Sequence, residues 1–79
     1  MNTTELIRLS QQIYEQRLRT ELERTHPDQF VAIEPVSGEF FLGRTLSEAS
    51  AAAHVGQPDR RTHVLRVGHR VTVHLGVNY

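Results

Sequence analysis

From residue 4 to residue 25 the apolar positions recur with a helical period, and after residue 29 they change to the two-residue alternation of strands. In the first stretch Leu6, Leu9 and Ile13 cluster at about 100° per residue, and Ile7, Tyr14, Leu18 and Leu22 continue around the same side. The stripe is wider than one contact surface needs and drifts along the helix, which fits either two contacts, one with the protein's own sheet and one with a partner copy, or one broad core face covered by the rest of the monomer. Thr3 or Thr4 is the expected N-cap, with Glu5 at the positive end of the helix dipole. Glu15 with Arg19, Arg17 with Glu21, and Arg19 with Glu23 stand four apart and make a charged, solvated face. Pro27 disfavours the α conformation at His26, so the helix should stop near residues 24–26.

Residues 29–35 and 39–43 then read as a hairpin whose turn is marked by Val36, Ser37 and Gly38. A two-residue loop at Ser37-Gly38 sets Pro35 opposite Phe40 and Ile33 opposite Leu42, with Val31 extending that apolar face. Phe30, Ala32, Glu34 and Phe41 fall on the other face. With apolar residues on both sides, the sheet should be buried on both, or on one side with a dimer contact on the other. Pro35 has no amide hydrogen for a ladder, so its strand should lie at an edge or reach the turn there.

Gly43 lets the chain leave the strand, and Thr45 with Glu48 is spaced as a capping box for a helix over residues 46–55. Its alanines favour helix with little bulk; Leu46, Ala49 and Ala53, beside Ala52 or Val55, are the expected inward side, and Gly56 the expected C-cap. After a polar loop, residues 62–77 alternate as a second hairpin around Gly68-His69, which sets Val64 against Val73, Arg66 against Val71 and His63 against His74. The fold class is therefore α+β: an N-terminal helix followed by β-β-α-β-β, a small antiparallel or mixed sheet packed on helices, in a single domain over residues 1–79.

Length sharpens the partner question. A 79-residue domain buries only roughly 60% of its unfolded surface, so its core is marginal. Cysteine is absent, which removes disulfides and thiolate metal sites and leaves self-association as the expected support. The polar N-terminus lacks the layout of a secretory signal, and no apolar run approaches the roughly 20 residues that span a bilayer, so the expected location is the cytoplasm. Nine acidic side chains balance nine basic ones, all of them arginine, which weakens any nonspecific pull toward nucleic acid or an anionic membrane.

Candidate chemistry is sparse. There are five histidines, and His63, His69 and His74 gather in the last hairpin, yet no spacing matches a zinc motif, so no metal or other cofactor is expected. Glu34, Glu39 and Glu48 have structural explanations as strand surface, turn flank and cap. Ser37 and Ser50 have no identifiable base, and the glycines do not form a phosphate loop. The leading expectation is a non-enzymatic protein–protein interaction module, a homodimer, with Leu6, Leu9, Ile13, Tyr14, Phe30 and Phe41 at the contact. The alternative is a nucleic-acid accessory protein that meets phosphates with Arg60, Arg61, Arg66 and Arg70.

Four pieces also carry a family likeness: Phe30-Val31-Ala32-Ile33, Phe41-Leu42-Gly43, Thr45-Leu46-Ser47-Glu48-Ala49 and Val64-Leu65-Arg66-Val67-Gly68. In this order they resemble a family of short, uncharacterised bacterial proteins with a β-β-α-β core. The resemblance covers about half the chain and implies a fold without an activity. The same block is similar to part of the HicB-type antitoxin fold, where a strand pair precedes a glycine and a "TLEEA" helix. This chain lacks that fold's longer central strand segment and any appended DNA-binding unit, so the likeness implies toxin binding more than DNA binding.

Overall fold

A computed structural model describes residues 1–69 of the chain. The second strand expected after residue 70, with His74, lies outside the described residues, as does Arg70. A long N-terminal helix begins as α1 (Thr3–Ile13), passes through a π-helical turn (Tyr14–Leu18) and ends as α2 (Arg19–Thr25). Strands β1 (Phe30–Glu34) and β2 (Glu39–Gly43), helix α3 (Leu46–Gly56) and strand β3 (His63–Arg66) follow. The sheet is antiparallel with order β2-β1-β3, so β1 is central and α3 crosses over it between the two outer strands.

The sheet is covered on both faces within one chain. On one face Val31, Ile33, Leu65 and Val67 pack with Tyr14, Leu18 and Leu22 of the long helix, with Ile13 and Leu42 at the margin. On the other, Ala32 meets Ala49 and Ala53 of α3, flanked by Phe30, Phe41 and Val64. Fully burying side chains of the Val, Leu and Ile kind contributes about 1.5–3 kcal/mol each, so the first cluster dominates stability. The alanine face is thin, and allows α3 to lie close to the strands. Leu46 and Val55 are exposed at 55% and 83%, against the expected inward placement, because the helix turns only the Ala49 and Ala53 row to the sheet.

The π turn corrects the reading of the wide helical stripe. Leu6, Ser10, Tyr14, Leu18 and Leu22 are all buried at a strict four-residue spacing. In an uninterrupted α-helix each such step overshoots a full turn by about 40°, or about 160° over the row. The π turn, closed by the Arg19 amide donating to the Tyr14 carbonyl, underwinds the chain and removes part of that overshoot. The drift seen in the sequence is thus taken up by backbone geometry, and it does not need a second contact surface.

Local chemistry moved two other boundaries. Asn2, one residue before the expected cap, starts α1: its side chain accepts from the Glu5 amide at 2.8 Å, and the Glu5 carboxylate accepts in return from the Asn2 amide. At α3, Thr45 accepts from the Glu48 amide as expected, but the Glu48 carboxylate takes the Arg44 amide, one residue outside the box. Gly56 is the last residue of α3 and Gln57 is the C-cap. Its missing side chain makes room for Phe41, whose ring carbon would lie 2.4 Å from a Cβ there.

Ser10 tests how dry this interface is. Its hydroxyl is fully buried with no hydrogen-bond partner among the described residues. A buried unpaired hydroxyl destabilises, and alanine is the better helix former. Ser10→Ala should therefore leave stability unchanged or raise it by up to about 1 kcal/mol in urea unfolding. A loss of more than that amount would show that the hydroxyl has a partner.

Candidate functional site

The hairpin between β1 and β2 is built around one carboxylate. Glu34 is 1% exposed, and its two oxygens accept from the Val36 amide at 2.9 Å and the Ser37 amide at 2.8 Å, while its carbonyl accepts from Gly38. Gly38 sits at φ +82°, which closes a four-residue turn over residues 35–38. Glu34 therefore pairs with Glu39, Ile33 with Phe40 and Val31 with Leu42. This corrects the two-residue loop by a register shift of two, which preserves which residues share a face. Pro35 falls in the turn, where it needs no ladder partner.

Beside this turn lies a pocket of about 150 Å³ walled by Leu6, Pro35 and Val36, with Glu34 within and Arg60 and Arg61 at its rim. Burial pushes the Glu34 carboxyl up, but the Ser37 hydroxyl, the Ser37 and Val36 amides and the positive charge of Arg60 outweigh it, and the net value lies below the ordinary 4.5. The group is a fixed acceptor, ionised at neutral pH, and not a general acid poised near 7. Arg60 approaches it only to 4.0 Å and is half exposed, so the pair is a screened, weak one.

The candidate arginines separate. Arg61 donates to the Met1 carbonyl and to the Thr3 hydroxyl at 2.8 Å, fastening the start of α1. Arg66 donates to the Asp28 carbonyl and stacks over the Phe30 ring at 5.4 Å. Five residue steps of near-extended chain, about 17 Å, separate Arg61 from Arg66, so the two do not form one basic patch. Arg60 is at the Glu34 end, and Arg70 is outside the described residues.

The histidines likewise do not converge on a centre. His63 pairs with Ile33 across the sheet, and burial pushes its imidazole below the ordinary 6.5. His69 meets the Asp28 carboxylate at 2.8 Å, near the Arg66 end of β3. Among the described residues no group of three or more His, Asp or Glu side chains is placed to hold a metal. No helix among them is long and apolar enough to cross a membrane. No family model, curated protein or solved structure matches this chain.

Of the candidate contact residues, Tyr14 and Leu6 are corrected to interior positions, at 1% and 6% exposure. Tyr14 is fixed further by its hydroxyl, which accepts from the Gly68 amide at 3.2 Å and ties the helix to the end of β3. Ile13 packs against the same core and Leu9 is half-buried, while Phe30 and Phe41 flank the alanines of α3. The residue that sequence reasoning missed is Phe40, 39% exposed at the outer strand β2. The two-residue loop sets it opposite Pro35 and the four-residue turn opposite Ile33, on the same face and one position from the turn in both. The signal for the hairpin register was Glu34, a lone acid before Pro-Val-Ser-Gly that can accept from the amides of a turn.

Proposed function

We propose that this chain is a non-enzymatic protein–protein interaction module. The observation that carries the reading is the position of β2: helices cover both faces of the sheet, and among the described residues β2 is an outer strand with an aromatic side chain, Phe40, partly exposed. A strand edge offers unpaired amides and carbonyls to another chain, and an adjacent apolar side chain adds area to the contact. The antitoxin-like version, with a small toxin as partner, draws on the hairpin–glycine–helix block from Phe30 to Ala49. Sedimentation of the purified full chain at micromolar concentration, alone and mixed with the products of adjacent genes, tests the reading. A complex with a second copy or one of those products is expected; a monomer in every mixture overturns it.

A further inference from the structure

We propose that the pocket beside the β1–β2 turn binds a free apolar α-amino acid, with the ligand's side chain against Leu6, Pro35 and Val36 and its two charged groups at Asp59 and Arg60. This goes beyond the interaction-module reading and does not depend on it.

Size and wall chemistry define the body of the ligand. The pocket holds about 150 Å³, and an apolar space of that volume takes a benzene-sized body. That is room for one side chain of the leucine or phenylalanine kind. Val36 stands 63% exposed at this wall and gains cover when the space is filled.

The charged groups around the pocket define the rest. Glu34 and Arg61 are already committed: Glu34 is buried with both oxygens accepting from turn amides, and Arg61 donates from both terminal nitrogens to the Met1 carbonyl and the Thr3 hydroxyl. Asp59 and Arg60 remain, consecutive and exposed in the loop before β3. Arg60 reaches Glu34 only to 4.0 Å, beyond hydrogen-bonding distance, so its N–H groups are left for a ligand. Among the described residues Asp59 makes no ion pair. One open acid and one open base beside an apolar pocket complement an ammonium and a carboxylate carried by the same small molecule. A residue at the end of a peptide carries only one of those charges, so a free amino acid satisfies both groups where a chain end does not.

Titration of the isotope-labelled full chain with L-leucine, followed through its amide NMR signals, tests the proposal. Leucine should shift the amides of Val36, Arg60 and Arg61 saturably, and glycine, which has no side chain to fill the pocket, should not. N-acetyl-leucine and leucinamide, which lack the ammonium and the carboxylate in turn, should each bind at least about tenfold more weakly than leucine. Arg60→Gln should lower affinity for leucine and N-acetyl-leucine at least about tenfold and leave leucinamide unchanged. Asp59→Asn should weaken leucine and leucinamide by a similar factor and leave N-acetyl-leucine unchanged. A purely structural effect would weaken all three ligands alike. Asp59 is exposed, so its variant keeps the test decisive should Arg60→Gln disturb the turn. Absence of saturable shifts in the full chain overturns the site, and equal binding of leucine, N-acetyl-leucine and leucinamide overturns the zwitterionic ligand. Either failure leaves the interaction module to its own sedimentation test.

Discussion

Gly43→Ala is expected to be among the most damaging single changes in the chain, with a loss of at least about 3 kcal/mol. A Cβ at residue 43 would lie 2.3 Å from the Ala49 nitrogen and 2.8 Å from the carbonyl carbon of Glu48, both backbone atoms in the first turns of α3. Neither can rotate away, so the strand and helix must separate, and the thin contact of Ala49 and Ala53 with the sheet opens with them. Two other glycines separate this cause from backbone conformation. Gly68 has φ +82° with nothing among the described residues within 4 Å of its would-be Cβ, so Gly68→Ala should show left-handed strain, about 1–2 kcal/mol. At Gly56 the obstacle is the Phe41 ring, which can shift in part, and an intermediate loss is expected. Urea unfolding of the three variants should rank them Gly43, Gly56, Gly68 in decreasing loss. A mild Gly43→Ala would mean that α3 stands further from β2 than the structure places it.

The same glycines show what was legible in the sequence. Gly43 was readable as the exit from a strand because a capping motif follows two residues later, but its closeness to Ala49 is a tertiary fact that local pattern does not encode. Gly56 looked like a helix stop for the same local reason, and its role against Phe41 depends on a residue fifteen positions earlier. Element types and order through β3 followed from periodicity, since helical spacing gives way to alternation after Pro27 and returns at the Thr45 cap. The hairpin register did not follow, because Glu34 was read as an exposed strand residue and its capacity to hold two turn amides was not weighed. The helical stripe misled in a related way. A fixed 100° per residue spreads Leu6, Tyr14 and Leu22 around the helix, and only an underwound turn brings them under one cover. That spread is what puts Tyr14 and Leu6 among the candidate contact residues, whereas the underwound helix places both in the core.

Glu34→Gln should remove about 2 kcal/mol at neutral pH, or roughly 10 °C from the melting temperature of a domain this size. The carboxylate satisfies two amides at once from a site 1% exposed, and the glutamine amide brings a donor where both neighbours already donate. The turn over residues 35–38 then loses its internal brace, and amide exchange at Val36 and Ser37 should accelerate. Acid titration gives an independent signature. Because the folded-state value lies below that of the unfolded chain, the stabilisation from Glu34 is complete above the ordinary 4.5. It declines as pH falls below that value, and is lost once pH has passed through the folded value. His63 acts at higher pH: its folded value lies below 6.5, so stability is full above 6.5 and falls as pH drops from there toward the lowered value. Two acid limbs are therefore expected in a plot of unfolding free energy against pH. Glu34→Gln should flatten the lower limb and leave the upper one in place, and His63→Gln should do the reverse. If Glu34→Gln left the lower limb unchanged, the carboxylate would not be the brace of the hairpin, and the four-residue turn over residues 35–38 would need another cause.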